Sequence, residues 1–494
     1  MAPTQPPSRG RFYSHLPAVA PLVLIAASAL LWDLGAGSLA AWDEAIYAQV
    51  SKEMVRSGDW LTPRWEYQPW FEKPPLFLWI TALLYRLFGV SEFWARAPSA
   101  LSGVALVGLA YLIGSRTFGR RAGFLAAVIL LTAYHFLSFS RFGTTDVMLT
   151  LFTYLALYAY LRRNDGDQKW WYLVWSSCAA ALMTKGAGGL IAPATVVLAL
   201  VFGQRLGGAV GSKHFWQGAL LAFLLAAPWH VLMYVWYGRA FTDEYIGYHV
   251  IARATRTLEG HASGYFYYVG KLLDGFLPWC LLVPFAVVSF VRRRHEDRSR
   301  SLVLLLLCAL VLGLYTVIPT RRPWYVVPLY PALAILVAAF INNLYQDYQS
   351  RPVRRRVVAG ACAVLIVAGA LYSFVSLYLN RRPEESVAKL SRLARSASPD
   401  DKDPLVLLSG VEPFYAQVPL FYSDRPVRQA YVSTEPAGED AERYVSYENL
   451  AEVVRASPKR IILRKEDVQR LTGDYDIQVL AEDESLVYAM IKHR

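Results

Sequence analysis

Residues 42–75 read WDEAIYAQVSKEMVRSGDWLTPRWEYQPWFEKPP. The stretch lies between strongly apolar segments, yet it carries Asp43, Glu44, Lys52, Glu53, Asp59, Glu66, Glu72 and Lys73. Charges gathered in the first long loop of an apolar chain either face water or build a site. A site is the reading taken here, with Asp43 as a base and Lys73 as a phosphate contact. Taken as a helix, 43–55 places Ile46, Val50 and Met54 on one apolar stripe at i, i+4 and i+8. The helix then lies along the membrane with Asp43 at its start and Tyr47 one turn on. Unpaired N–H groups and the helix dipole favour a carboxylate there. Spacing alone leaves two roles open for Asp43, an ordinary first-turn acid or a base.

Composition sets the class around this stretch. The chain has 494 residues, 55% of them hydrophobic and 14% aromatic, with a mean hydropathy of +0.29. Apolar runs of about 17–25 residues, the length that crosses a bilayer, recur throughout. The net charge of +12 concentrates in short loops beside those runs, which points to membrane topology and away from nucleic acid. Cys178, Cys280, Cys308 and Cys362 all fall within apolar runs, so no disulfide or metal cluster is expected of them. Arg9 and Arg11 precede the first apolar run without a convincing cleavage site, so an uncleaved first span is expected.

About eleven spans are expected, at 17–38, 94–115, 121–140, 145–162, 170–184, 186–203, 215–237, 265–291, 301–319, 324–345 and 356–379. Residues 74–88 are the ambiguous segment. If they do not cross, the N-terminus and the basic clusters near Arg116, Arg162, Arg205, Arg292 and Arg351 all lie inside, as the positive-inside rule requires. Fifteen helical residues reach roughly 22 Å, short of a core about 30 Å thick. An interfacial helix is therefore expected. Outer loops then fall at 39–93 and 238–264. After Asn380 the composition changes, and short apolar runs at 404–410, 459–465, 475–480 and 485–491 read as buried strands. Residues 447–456 read as a helix. The expected organisation is a polytopic helical domain over 1–379 and a small extracytoplasmic α/β domain over 380–494.

Other residues can carry chemistry. In Glu72-Lys73-Pro74-Pro75 the prolines suit a helix start, which presents Lys73 at an N-terminus, either to hold an anion or as a lysine snorkelling to headgroups. Asp146 follows Thr144-Thr145 at an outer helix end and reads locally as a cap. His249 and Arg253 share an α-helical face. Arg253 is a candidate phosphate ligand, and His249 with Glu72 is a candidate pair for a divalent metal. Arg321 and Arg322 lie outside, against the basic-inside trend, which an anionic substrate explains. Lys185 is similar but solitary and reads as structural. Trp60, Trp65, Tyr67, Trp70 and Phe71 suit either a sugar or lipid cleft or an interfacial aromatic belt.

WDEAIYAQVSKEM, GDWLTP, FEKPPLFLW, the outward Asp146 and RRPWYVVPLYPALA occur in that order. The set resembles the GT-C glycosyltransferases, in the branch of bacterial lipid A aminoarabinose transferases and protein O-mannosyltransferases. The resemblance covers roughly 40–335, and the tail is similar to the aminoarabinose-transferase periplasmic domain. It implies transfer of one sugar from a polyprenyl-phosphate donor of undecaprenyl type to a lipid or glycan acceptor, on the outer face of a bacterial inner membrane. It implies Asp43 as catalytic aspartate, Asp146 as a second acid, and Glu72-Lys73 as the donor-phosphate motif. Arg253, Arg321 or Arg322, and Tyr325 join as substrate-binding residues, with Tyr47 nearby. No cofactor is required, a divalent metal aside. A polyprenyl-phosphate carrier, a protein O-mannosyltransferase and a non-catalytic scaffold are the alternatives.

Overall fold

The computed structural model describes residues 16–258, 264–292, 295–379, 386–397, 403–408, 417–431, 447–455 and 457–494. The Arg9/Arg11 flank and Arg293–Arg294 lie outside them. The chain forms two compact units. The first comprises Met1–Leu34, Phe71–Ile80 and Arg96–Asn380, and the second Gly35–Trp70, Thr81–Ala95 and Arg381–Arg494. The second therefore takes in, beside the tail, two segments that the sequence suggested belonged with the membrane domain.

The first unit is helical. Among the described residues, Glu92–Phe118, Trp170–Phe202, Lys213–Tyr237, Leu329–Asp347 and Pro352–Leu379 are the 5 helices long and apolar enough to cross a membrane, where eleven spans were expected. Counting two bent pairs as spans gives up to 7. One pair, Arg120–Leu131 with Tyr134–Ser140, bends by 68°. Thr132 marks that break: its hydroxyl donates back to the Val128 and Ile129 carbonyls and accepts from the Trp279 indole at 3.0 Å. The other pair, Tyr267–Gly275 with Trp279–Phe290, bends by 116° around Pro278, which has no N–H to continue the ladder. Residues 170–202, expected as two spans, run as 33 residues interrupted by a 3₁₀ turn at Gly186–Leu190. Helix Leu76–Phe88 reaches about 20 Å, too short to cross. All four cysteines are buried and free.

The second unit is α/β. A small hairpin joins β1 (Arg64–Trp65) to β2 (Gln68–Pro69). Among the described residues the main sheet has six strands: β3 (Leu405–Leu408), β4 (Val427–Tyr431), β5 (Tyr447–Asn449), β6 (Lys459–Arg464), β7 (Tyr475–Asp483) and β8 (Leu486–His493). Their order is β5-β4-β3-β6-β8-β7. The first four are parallel, and β8 and β7 are antiparallel additions. Four strands fall on the runs read from sequence. β4 and β5 were missed, and the helix expected over 447–456 starts only at Leu450, after β5.

The period-2 alternation of the strands sorts their side chains onto two faces. Leu405 and Leu407 join one core with helices Ser386–Ala397 and Gln417–Ser423, and with Leu39, Ala45 and Ala48 from the first loop. Val406 and Leu408 join the other, against Leu450, Val453 and Val454. The WDEAIYAQV helix is thus part of the core beside the sheet.

Candidate functional site

Helix Asp43–Ser57 begins at Asp43, as expected. Trp42 precedes it at φ 67° and ψ −134°, a conformation costing a non-glycine residue about 1–3 kcal/mol and found preferentially at functional sites. The Ala40 N–H donates to Glu44 Oε2 at 2.7 Å, which fixes the entry. Asp43 is half-buried, and no described residue of its unit pairs with it. Tyr47 is 1% exposed and packs edge-on to Trp70, ring centroids 6.0 Å apart. The one-sided stripe of Ile46, Val50 and Met54 is corrected by the structure: every residue from Glu44 to Met54 is buried, because the tail's core covers the alanine side as well.

The charges on this helix tolerate burial because they are partnered. Lys52, 2% exposed, ion-pairs with Asp424, donates to the Phe421 carbonyl and lies 4.6 Å from the Phe421 ring centroid. Arg56 and Arg395 reach the same Asp424 at 2.7 and 2.9 Å. Burial, only partly offset by Asp424, lowers the Lys52 ammonium to about 8. Burial opposes ionisation of Asp424, but the Arg56 hydrogen bond and the Lys52 charge outweigh it and hold the carboxyl below its usual range. Glu53 accepts from the Tyr67 N–H at 2.9 Å, bracing a turn in which Glu66 and Tyr67 both have positive φ. Burial and the Glu53 charge push Glu66 up to about 7.

The remaining candidates lie in the first unit. The Phe71 ring packs against Tyr237 and Phe241 at 5.0 and 5.4 Å, and its N–H donates to Glu244 Oε1 at 3.1 Å. These contacts seat the Glu72-Lys73 segment on residues 237–249. Glu72, 6% exposed, has Lys73 Nζ 3.5 Å from one oxygen and His249 Nε2 3.9 Å from the other. Pro74-Pro75 lead into the helix from Leu76, whose first bond runs from the Trp79 N–H to the Pro75 carbonyl at 2.7 Å. His249 rides on a π-helix, Asp243–Ala252. The i→i+5 ladder is wider than that of an α-helix. Arg253 follows the π-helix, its guanidinium 6.0 Å from the Tyr248 ring.

Asp146, 3% exposed, is the second residue of helix Thr145–Arg163. It ion-pairs with Lys185, the last residue of helix Trp170–Lys185. Lys185 Nζ also lies 5.3 Å from the Tyr325 ring, which stacks on Tyr315 at 4.5 Å. Lys185 read from the sequence as solitary and structural, whereas the structure gives it Asp146 as a partner. Its partner is 39 positions away, and the local signal is a cation placed where the helix breaks. At that break Gly186 has φ 55°, and a Cβ there would sit 2.7 Å from the Tyr245 hydroxyl on the π-helix. The corner carrying Lys185 thus packs on the element carrying His249.

The Arg321-Arg322 segment is stitched to the loop after the π-helix. Thr320 Oγ1 donates to the Arg256 carbonyl at 2.8 Å and accepts from the Leu258 N–H at 3.1 Å. Arg321, 7% exposed, donates to the Thr316 carbonyl at 2.9 Å and lies 5.5 Å from the Tyr265 ring. Arg322 is half-buried, 5.4 Å from the Trp324 ring. Among the described residues no three His, Cys, Asp or Glu side chains converge. Glu72 and His249 supply two donors, one short of the three protein ligands of a catalytic zinc site.

Comparison with known proteins follows from this geometry. Residues 72–232 match the family model described as dolichyl-phosphate-mannose-protein mannosyltransferase. The fold is that of ArnT from Cupriavidus metallidurans, solved bound to undecaprenyl phosphate: TM-score 0.76, 22% identity, over 96% of this chain and 98% of that one. Two curated relatives are named undecaprenyl phosphate-alpha-4-amino-4-deoxy-L-arabinose arabinosyl transferase. The one from Pectobacterium carotovorum is 29% identical over 67% of this chain and 61% of its own length. The one from Shewanella sediminis is 26% identical over 75% and 67%. The chain thus spans about three fifths to two thirds of the length of the curated relatives it matches. It is an integral membrane protein that resembles the GT-C glycosyltransferases, in the aminoarabinose-transferase and protein-mannosyltransferase branch.

Proposed function

We propose that this protein is an inverting glycosyltransferase. It moves one sugar from an undecaprenyl-type polyprenyl-phosphate donor to a hydroxyl or phosphate on a lipid or glycan, as in lipid A modification. The observation that carries this reading is the gathering, in one unit, of the Lys73–Glu72–His249 and Lys185–Asp146–Tyr325 groups. Lys73 and Lys185 have side chains only 12% and 10% exposed, and each has a carboxylate beside it. Buried cations held in place by carboxylates are preorganised for the charge that builds on a departing phosphate.

In this scheme an acceptor hydroxyl attacks the anomeric carbon while Asp43 takes its proton as general base. The bond from that carbon to the donor phosphate oxygen breaks, and the electron pair leaves with the phosphate. Lys73, with Arg253 and Arg321 or Arg322, stabilises the phosphate as it leaves. Asp146 holds Lys185 in position, and Tyr325 bounds the same group. One displacement inverts the anomeric centre. In this reading the basic loops lie inside, and the chemistry, the 39–93 and 238–264 loops and the α/β tail lie on the periplasmic face of a bacterial inner membrane.

The test is sugar transfer from a panel of synthetic polyprenyl-phosphate sugars in membranes, comparing wild type with Asp43→Asn and Lys73→Ala. Transfer by wild type that both folded variants lose supports the scheme and names the donor. Polyprenyl-phosphate binding without transfer from any donor moves the reading to a lipid carrier. Normal turnover by Asp43→Asn removes the base assignment.

A further inference from the structure

The bundle of the first unit also holds a cavity of about 760 Å³ at its basic end, away from the residues described above. It is bounded by the starts of helices Leu16–Leu31, Arg120–Leu131 and Pro352–Leu379 and by the ends of Glu92–Phe118 and Leu329–Asp347. Helix Leu329–Asp347 measures the separation. Tyr325 lies just before its first residue, whereas the cavity residue Tyr345 is 16 residues after Leu329, about 24 Å along the axis. The volume lies in the range of small-molecule sites, and Phe124, Ile341 and Cys362 supply apolar wall.

Two features give this cavity a polarity that packing does not require. The Tyr345 ring has the Arg121 guanidinium 5.3 Å from its centroid and that of Arg355 4.4 Å from it. Two cations on one ring repel each other, and an anion between them relieves that repulsion. The neighbouring stretches 116–121 and 345–356 carry seven arginines against the single carboxylate of Asp347. Second, Asn342 lines the cavity, is 3% exposed, and its Oδ1 has no hydrogen-bond partner. A buried amide oxygen left unsatisfied is destabilising. Asn342 lies one turn deeper than Tyr345, about 4.5 Å along the helix. That step matches the one from a lipid phosphate to its acyl esters.

We propose that this cavity binds an anionic diacyl phospholipid. The phosphate sits between Arg121 and Arg355, one acyl chain lies along the apolar wall, and the Asn342 amide meets the glycerol-ester region. Turning that amide presents Nδ2 as donor to an ester carbonyl. The inference rests on the cavity and its charges, independently of the transferase reading.

Native mass spectrometry of the full-length protein in detergent tests it, with phosphatidylglycerol and phosphatidylcholine titrated separately. The expected result is tighter retention of phosphatidylglycerol. Each of Arg121→Ala and Arg355→Ala should weaken it about fivefold, and Asn342→Leu, which removes the amide that meets the ester region, should weaken it as well. The arginines lie at exposed or half-buried positions, so their variants keep the test decisive should Asn342→Leu misfold. Sugar transfer should be unchanged in all three variants. Equal retention of both lipids, or retention indifferent to the arginine variants, overturns the proposal. So does undecaprenyl phosphate outcompeting phosphatidylglycerol with the same sensitivity to these variants, since the site would then belong to a polyprenyl lipid.

Discussion

Replacing Asp424 with Asn should destabilise the α/β unit by an amount that depends on pH. Lys52 is 2% exposed and loses its carboxylate in this variant. Left charged and unpaired, it would cost about 3–5 kcal/mol. The fold has a cheaper response, because Lys52 already releases its proton near 8. Without Asp424 nothing offsets burial and the neighbouring Arg56 and Arg395 charges, all of which lower it, and such lysines fall to about 5–6. Shedding the proton then costs about 1.4 kcal/mol per pH unit below 8, hence about 3 kcal/mol at pH 6 and almost nothing at pH 9. Arg56 and Arg395, with side chains 39% and 56% exposed, add at most about 1 kcal/mol each.

The wild-type sign follows from the same group. Between pH 8 and 10.5 the unfolded chain holds the Lys52 proton and the native one does not, so wild-type stability rises with pH there. Thermal unfolding of the full-length protein in detergent at pH 6, 7.5 and 9 is the assay. At about 2–4 °C per kcal/mol for a unit of this size, the variant should melt about 10 °C below wild type at pH 6 and about 3 °C below at pH 9. A deficit equal at both pH values would refute the reasoning, as would one under about 2 °C at pH 6.

Three further outcomes are expected. Glu66 keeps its proton to about 7 in the native state, against 4.5 ordinarily, so stability falls as pH rises between those values. Glu66→Gln should remove that fall and gain about 1–3 kcal/mol at pH 8, read from the same melts. Asp146→Asn and Lys185→Met should each cost about 3–5 kcal/mol by stranding a buried charge. The double variant should recover much of the melting temperature but none of the sugar transfer, and recovered transfer would make the pair purely structural. Chelation with EDTA should leave transfer unchanged; a loss restored by a divalent ion would reinstate the Glu72–His249 metal.

Local patterns made much of the fold legible. β3, β6 and β8 announced themselves as short Val/Ile/Leu runs, since a strand buried on both faces has few polar positions to dilute it, whereas β7, an exposed edge strand, was marked only by its short YDIQVL run. β4 (VRQAY) and β5 (YEN) carry polar residues and lie toward one edge of the sheet, so no such run marked them. The start of the helix at Asp43 was legible for a local reason too, the switch from loop to helical periodicity. The π-helix that carries His249 was not legible, because a wider ladder leaves no distinct mark on so short a run.

By itself, then, the sequence determined the membrane class and the α/β character of the tail, which depend on composition and on neighbours within a few positions, and its family resemblance singled out Asp43, Glu72, Lys73 and Asp146. Only the tertiary structure decided that Lys185 pairs with Asp146, that Asp424 holds Lys52 across more than three hundred residues, and that the first loop's helix is buried in the tail's core. A charge or a helix face with two possible partners is settled by which one the fold brings within contact, and no spacing along the chain encodes that distance.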